Sequence, residues 1–164
     1  LLDMTGLQTV ERSDTISLAA LTEEVFCDLD PVAEKHQVRL IQTDGDCTVT
    51  GSYILLYRAV YNLVENAIKY NRPSGSVTVS IHSAESAVLE VTDTGIGISP
   101  ENQEKIFDPF YRVDKSRSRA MGGAGLGLAL VSEIARQHNG QVKVTQSSEK
   151  GSTIALILPE STDY

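Results

Sequence analysis

Residues 52–71, SYILLYRAVYNLVENAIKYN, decide how the rest of the chain is interpreted. Five apolar residues in this stretch recur at helical spacing and form one stripe of an amphipathic helix. They are Val60, Leu63, Val64, Ala67 and Ile68. Ser52 stands where a helix N-cap is expected, since its hydroxyl can accept a hydrogen bond from the first turn. The sequence therefore predicts a helix that begins after Ser52 and packs its stripe on a core.

A row of polar residues lies on the other side of this predicted helix. Asn62, Asn66 and Lys69 are spaced i, i+4, i+7, so their side chains line up. A solvated helix face normally carries Glu, Lys, Gln or Arg, because asparagine competes for its own backbone and is a poor helix former. Two amides and a lysine in one row favour a ligand-binding face, with an ordinary solvated face as the alternative from this helix alone.

The composition narrows the class of protein. With 164 residues, of which 41% are hydrophobic, the chain can bury one core, and a single domain is expected. A formal charge of −8 argues against a nucleic-acid partner, because a phosphate backbone requires a basic face. No signal peptide and no membrane-spanning run is visible. Cys27 and Cys47 are isolated, which favours reduced cysteines in a cytoplasmic setting.

Hydrophobic periodicity and turn residues predict the remaining elements. We expect helices at 19–36, with Pro31 limiting its regularity, and at 126–138, and a short helix capped by Ser99. We expect strands at 15–18, 38–42, 48–50, 76–81, 87–92, 141–145 and 153–158, with a hairpin connection at 83–86.

Two neighbouring segments have the composition of a binding site. Residues 107–123 form a long basic loop in an acidic chain, and long loops in compact domains are usually functional or disordered. Residues 122–128, GGAGLGL, lead directly into a helix, where free N–H groups and the helix dipole favour an anion. No lysine and hydroxyl follow the last glycine, as a P-loop requires, and a basic loop replaces the strand that precedes a dinucleotide fingerprint.

Four motifs in order carry a family resemblance: LVENAIKY with Asn66, DTGIG with Asp93, FDPFYR, and GGAGLGLAL. Together they resemble the nucleotide-binding catalytic domain of bacterial sensor histidine kinases. This is the Bergerat fold of the gyrase, heat-shock chaperone, kinase and mismatch-repair superfamily. The resemblance covers nearly the whole chain. It implies an α+β fold, a two-layer α/β sandwich with a mixed sheet, helices on one face and an ATP lid.

The resemblance also implies a role for individual positions. Asn66 would bind Mg²⁺, with Asn62 beside it, and Lys69 would contact the ATP phosphates. Tyr70 would cover the nucleotide near the ribose and base, and Asp93 would accept the adenine amino group. A neutral asparagine oxygen is a suitable hard ligand where the triphosphate brings its own charge.

The remaining implied positions surround the phosphates and the base. Arg112 and Arg117 would reach the triphosphate from the lid, which suits phosphoryl transfer because it depends on positioning and charge neutralisation. Phe107 and Phe110 would anchor the lid, and the Thr153 hydroxyl would support Asp93 through water. Gly95 and Gly97 would let the backbone approach the base and would open the lid hinge. Gly125, Leu126 and Gly127 would offer backbone N–H groups to the phosphates, and Gly123 is also an implied nucleotide contact.

The resemblance places the phosphoacceptor outside this chain. In the family the accepting histidine lies on a separate helical hairpin and an acid usually follows it, whereas His36, His82 and His138 have no such neighbour. We therefore expect residues 1–10 to be the end of that hairpin or a linker, and residues 11–164 the ATP-binding catalytic domain. The expected partners are the hairpin, dimeric in the full-length protein, and a response regulator. The fragment itself is expected to be monomeric and part of the cytoplasmic region of a membrane-anchored sensor.

Two other functions remain to be weighed. The ATPases of the superfamily place a glutamate four residues before the metal-binding asparagine to activate water. This chain has Asn62 there, and an amide cannot take a proton at neutral pH, which argues against hydrolysis as the main function. A binding module that has lost its nucleotide is the other alternative. The intact Asn66, Asp93 and glycine loop argue against it.

Overall fold

The computed structural model describes residues 14–108 and 127–161. Within these ranges the α-helices are α1 (Leu18–His36), α2 (Tyr53–Lys69) and α3 (Gly127–Gln137). The strands there are β1 (Asp14–Ser17), β2 (Arg39–Gln42), β3 (Thr48–Gly51), β4 (Ser76–Ala84), β5 (Ser86–Asp93), β6 (Gln141–Ser148) and β7 (Gly151–Leu158). Single 3-10 turns occur at Pro100–Asn102 and Lys105–Phe107. None of the helices in these ranges has the length and apolarity needed to cross a bilayer.

The main sheet has five strands in the order β2-β4-β5-β7-β6. Strand β2 runs parallel to β4, and the other neighbours are antiparallel, so the sheet is mixed as predicted. Strands β1 and β3 pair with each other in a separate antiparallel ribbon, which the sequence did not predict. The ribbon leads into two helices, because Ser17 caps α1 and Ser52 caps α2.

The helices cover one face of the main sheet. Alternate residues of the central strands are buried, as expected when one face of a sheet packs on a core and the other faces water. These buried residues are Val77, Val79 and Ile81 on β4, and Ala87, Leu89 and Val91 on β5. The α+β two-layer fold expected from the sequence is confirmed.

Helix α2 packs on this core as its periodicity predicts. All five residues of its apolar stripe are buried, none more than 4% exposed. At its start the Leu55 N–H donates to the Ser52 hydroxyl at 3.3 Å, so the predicted N-cap is confirmed. Each fully buried Leu, Ile or Val side chain contributes roughly 1.5–3 kcal/mol. The stripe therefore fixes the rotation of α2 and directs the asparagine row away from the core.

Three local predictions need correction. Helix α1 continues through Pro31, which is exposed, so water can hydrogen-bond the carbonyl that the missing N–H leaves free. The β4–β5 hairpin is longer and tighter than expected, because pairing extends to Ala84 and Ser86 with Glu85 at positive φ. Ser99 precedes a 3-10 turn and its side chain makes no capping hydrogen bond.

Candidate functional site

The asparagine row of α2 is half-buried at the edge of the core. Asn62, Asn66 and Lys69 are each partly exposed, while their neighbours Leu63, Val64, Ala67 and Ile68 are buried. The Lys69 ammonium lies 3.7 Å from the Glu65 carboxylate one turn earlier. A partly exposed i,i+4 pair on a helix contributes only about 0.3–0.5 kcal/mol, so a phosphate can compete for the lysine. The row thus presents two amides and one cation to a ligand.

The first turn of α3 lies beside this row. A Cβ built on Gly127 would be 3.9 Å from the Asn62 side-chain carbon, so the two helices are close there. The first N–H groups of a helix have no partner within it and carry a partial positive charge. This arrangement brings the predicted phosphate-binding helix start to the predicted metal-binding helix.

Asp93 ends β5 with its carboxylate held by three hydrogen bonds. Its Oδ1 accepts the backbone N–H groups of Gly95, at 2.9 Å, and Ser152, at 3.2 Å. Its Oδ2 accepts only the Ser152 hydroxyl, at the longer distance of 3.4 Å. Burial raises the pKa of the Asp93 carboxyl above its ordinary value, and the hydrogen bonds from Gly95 and Ser152 partly oppose this rise. Oδ2 therefore has capacity to accept a further hydrogen bond from a ligand.

Two glycines allow close backbone approach next to Asp93. A Cβ on Gly95 would overlap the carbonyl oxygen of Tyr70, at the end of α2. Gly97 has φ +79°, and a Cβ there would overlap the carbonyl of Ser148 on β6. Only glycine combines this backbone conformation with this space. The DTGIG loop is therefore packed directly against the C-terminus of α2.

Thr153 has no direct hydrogen bond to Asp93 among the described contacts, and its expected role through water stays a prediction. Its hydroxyl lies 3.0 Å from that of Thr92, and its neighbour Ser152 is the residue that contacts Asp93. Successive residues of a strand point to opposite faces, so only one of these two hydroxyls can face Asp93 directly. Ser152 is a site residue that the sequence reasoning missed. No sequence signal separates Ser152 from Thr153, because the choice depends on the β5–β7 register, which pairs Thr92 with Thr153.

Of the remaining predicted site residues, two lie in the part of the chain that the structure describes. Tyr70 follows α2 and is partly exposed near Gly95, and Phe107 is half-buried against the core. The residues predicted in the basic loop and glycine run lie outside the described ranges. They are Phe110, Arg112, Arg117, Gly123, Gly125 and Leu126.

The mixed sheet with helices on one face is an α+β two-layer fold, and it carries the residues expected to form a nucleotide site, namely Asp93, the asparagine row and the start of α3. A family model described as "Histidine kinase-, DNA gyrase B-, and HSP90-like ATPase" matches residues 51–162. The chain belongs to this family.

Named relatives agree with this assignment. The sensor-like histidine kinase SenX3 of Mycolicibacterium smegmatis is 38% identical over 169 residues, covering 99% of this chain and 44% of that protein. The mycobacterial sensor histidine kinase MprB matches with a TM-score of 0.76 and 27% identity, covering 92% of this chain and 99% of that chain. Full-length ShkA in complex with AMPPNP has a TM-score of 0.83 at 24% identity, covering 98% of this chain and 34% of that chain, which shows the fold alone. The chain thus spans less than half the length of SenX3.

Proposed function

We propose that this chain binds Mg-ATP and transfers the γ-phosphoryl group to a histidine on a separate helical hairpin of a two-component sensor kinase. The observation that carries the proposal is the Asp93 carboxylate, partly buried, oriented by Ser152 and close to the end of the helix that bears Asn66. The identity to SenX3, a sensor-like histidine kinase, supports a kinase over the other activities of the family.

Asp93 fits the amino group of adenine. A carboxylate accepts but does not donate hydrogen bonds when ionised, and the one oxygen with spare capacity is Oδ2. Gly95 lets the loop after Asp93 pack directly against the Tyr70 carbonyl, which keeps this carboxylate close to the end of the helix that bears Asn66. The AMPPNP complex of ShkA, which shares the fold, supports an adenine nucleotide as the ligand.

The other end of the proposed site holds the phosphates and the metal. The Asn66 carbonyl oxygen is a hard, neutral ligand of the kind that Mg²⁺ accepts alongside phosphate oxygens. Bound Mg²⁺ would supply charge neutralisation at the triphosphate. Lys69 and the N-terminus of α3 add positive charge on the same side, with Asn62 between them. Arg112 and Arg117 are proposed to complete the cationic surroundings.

The chain's own histidines are poor acceptors. His138 is 6% exposed, and both ring nitrogens are engaged, one with the Ser52 N–H and the other with the Ile134 carbonyl. His36 and His82 lie on α1 and β4 and are followed by Gln37 and Ser83, not by acids. The acceptor is therefore proposed to lie on the hairpin, and a response regulator is proposed as the next acceptor.

Radiolabelled ATP with Mg²⁺ tests the proposal in three mixtures: the chain alone, the hairpin of the parent protein alone, and both together. We expect label on the hairpin in the third mixture only. An Asn66→Ala chain and a hairpin without its histidine are the controls, and neither should give label. Brisk phosphate release by the chain alone would instead favour the ATPase alternative. Label on the chain itself would contradict a separate acceptor.

A further inference from the structure

A compact hydrogen-bond network joins the end of α2 to the loop that follows β5. The Asn71 Oδ1 accepts the Thr94 hydroxyl at 2.8 Å, and the Asn71 Nδ2 donates to the Ser76 carbonyl at 2.9 Å. The Thr94 Oγ1 in turn accepts the Ser76 N–H at 2.9 Å. Asn71 is only 9% exposed. Each polar side-chain atom of Asn71 and Thr94 therefore has a partner, as a buried polar network requires.

The surrounding backbone leaves no room for this contact to change. Gly75 lies against it, and a Cβ there would overlap both the Asn71 Oδ1 and the Thr94 hydroxyl. The Arg72 N–H donates to the Asn71 Oδ1 at 2.8 Å, and its guanidinium donates to the Gly95 carbonyl at 2.9 Å. The same guanidinium nitrogen donates to the Glu149 carbonyl at 2.8 Å. Three loops are thus fixed to one another around the Asn71–Thr94 contact.

The two residues adjoin the two halves of the proposed nucleotide site. Thr94 directly follows Asp93, and Asn71 lies five residues after Asn66, two residues beyond the end of the same helix. We propose that Asn71 and Thr94 are positioning residues that set the distance between the metal-binding helix and the base-binding loop. This inference rests on the proposed function, because it concerns how one nucleotide contacts both halves.

In the proposed site, ATP contacts one half through its base and the other half through its phosphates, so its affinity should depend on the distance between the halves. Binding groups must be held within about 0.5 Å of their productive positions, and linked contacts reinforce one another only when both can form together. A ligand that contacts only Asp93 does not depend on the distance between the two halves. Loosening the Asn71–Thr94 contact should therefore weaken Mg-ATP, which uses both halves, and leave adenosine, which lacks phosphates, nearly unchanged.

Thr94→Val tests this, because valine keeps the shape of threonine and removes the hydroxyl. Thr78→Val is the matched control, since Thr78 is a half-buried position on β4 outside the site. Mg-ATP is titrated by calorimetry and adenosine by NMR chemical shifts, on the wild-type chain and each variant. We expect the Mg-ATP Kd to rise about tenfold in Thr94→Val and the adenosine Kd to change less than twofold. Thr94→Ser, which restores the hydroxyl, should recover wild-type Mg-ATP affinity.

A double variant checks that the effect comes from this contact. Asn71→Ala and Thr94→Val share the loss of one hydrogen bond, so the double variant should weaken Mg-ATP by less than the product of the two single losses. Multiplicative losses in the double variant would overturn the proposal. So would equal weakening of adenosine and Mg-ATP, which indicates general loss of structure, or unchanged Mg-ATP affinity in Thr94→Val.

The same titrations distinguish failure of the positioning role from failure of the proposed nucleotide site. If the wild-type chain binds neither Mg-ATP nor adenosine, the nucleotide site itself is wrong and the positioning role falls with it. If the wild-type chain binds both and Thr94→Val does not distinguish them, only the positioning role is wrong.

Discussion

Ser152 binds both carboxylate oxygens of Asp93, with its N–H on Oδ1 at 3.2 Å and its hydroxyl on Oδ2 at 3.4 Å. The Gly95 N–H adds a third bond, to Oδ1, at 2.9 Å. The two donor residues come from different parts of the chain, β7 and the loop after β5. The carboxylate is therefore oriented by the fold before any ligand binds, which would lower the entropic cost of binding the proposed base.

Base selectivity is the first expected consequence. The Asp93 carboxylate can accept the adenine amino group, but guanine places a carbonyl there, and the hydrogen bond to a charged group, worth roughly 1.5–3 kcal/mol, is lost. ATP should bind at least about tenfold more tightly than GTP, as ~1.4 kcal/mol implies. Calorimetry on wild-type protein and Asp93→Asn measures this. The variant should lose most of the preference, and the exposed Asp44→Asn control should keep it. Equal affinities in the wild type would assign Asp93 a structural role only.

Asp93→Asn should impair base selectivity without lowering the thermal stability of the fold at pH 7. Burial raises the folded-state pKa of Asp93 above its unfolded value, so the folded state holds the proton more tightly and its stability falls as pH rises through that interval. A neutral amide avoids this loss. At pH 7 the variant should melt at the same or a higher temperature than the wild type, and the difference should shrink as pH falls toward about 4, the ordinary pKa of an aspartate. A variant that melts lower at pH 7 and equally low at pH 4 would contradict this.

The parts of the site that depend on spacing along one element were predictable from the sequence. The row of Asn62 and Asn66 follows from the 3.6-residue period of α2, and the position of Asp93 follows from the glycines after a strand. The choice between Ser152 and Thr153 was not predictable, because it depends on the register between β5 and β7. The pairing of Asn71 with Thr94 was missed for the same reason, since it joins residues 23 positions apart through tertiary structure.

The contact made by His138 was not predictable from the sequence either, because its partner is far away along the chain. The sequence indicated only a residue at the end of a helix, but the Ser52 N–H, 86 positions away in sequence, donates to its Nε2 at 3.1 Å. Because that nitrogen accepts, the hydrogen of the neutral ring lies on Nδ1, which donates to the Ile134 carbonyl at 2.8 Å. The ring thus ties the C-terminus of α3 to the start of α2.

Replacing His138 should therefore lower stability. His138→Phe removes the acceptor of a buried N–H, which costs about 1–3 kcal/mol. Urea denaturation should show a lower midpoint, with His36→Phe, at a half-exposed helix end, as the control. A midpoint unchanged in His138→Phe would mean that the Ser52 N–H finds another partner.

The raised pKa of Tyr57 should make the stability of the fold depend on pH above about pH 10. Burial, followed by the hydrogen bond with Asp28, raises the pKa of Tyr57 above its ordinary value of about 10. The unfolded chain then releases a proton above pH 10 that the folded chain keeps, so stability should fall as pH rises through this range. Tyr57→Phe should show a shallower fall between pH 10 and 12 in urea denaturation. At pH 8 it should differ from the wild type by at most about 1 kcal/mol, the value of one hydrogen bond. Parallel slopes above pH 10 would show that Tyr57 does not hold its proton.

Magnesium dependence is the most direct test of the asparagine row. If the Asn66 carbonyl binds Mg²⁺, then Mg²⁺ should tighten ATP binding in the wild type and do so far less in Asn66→Ala. The loss is expected to be at least about tenfold in the presence of the metal, equivalent to ~1.4 kcal/mol, and small in its absence. Arg58→Ala, on the exposed side of the same helix, controls for helix propensity. Asn66→Asp keeps an oxygen ligand and should recover part of the magnesium effect, although its charge repels the triphosphate. If Asn66→Ala instead kept the full magnesium effect of the wild type, Asn66 would not bind the metal. Equal loss of affinity with and without Mg²⁺ would likewise assign Asn66 a structural role.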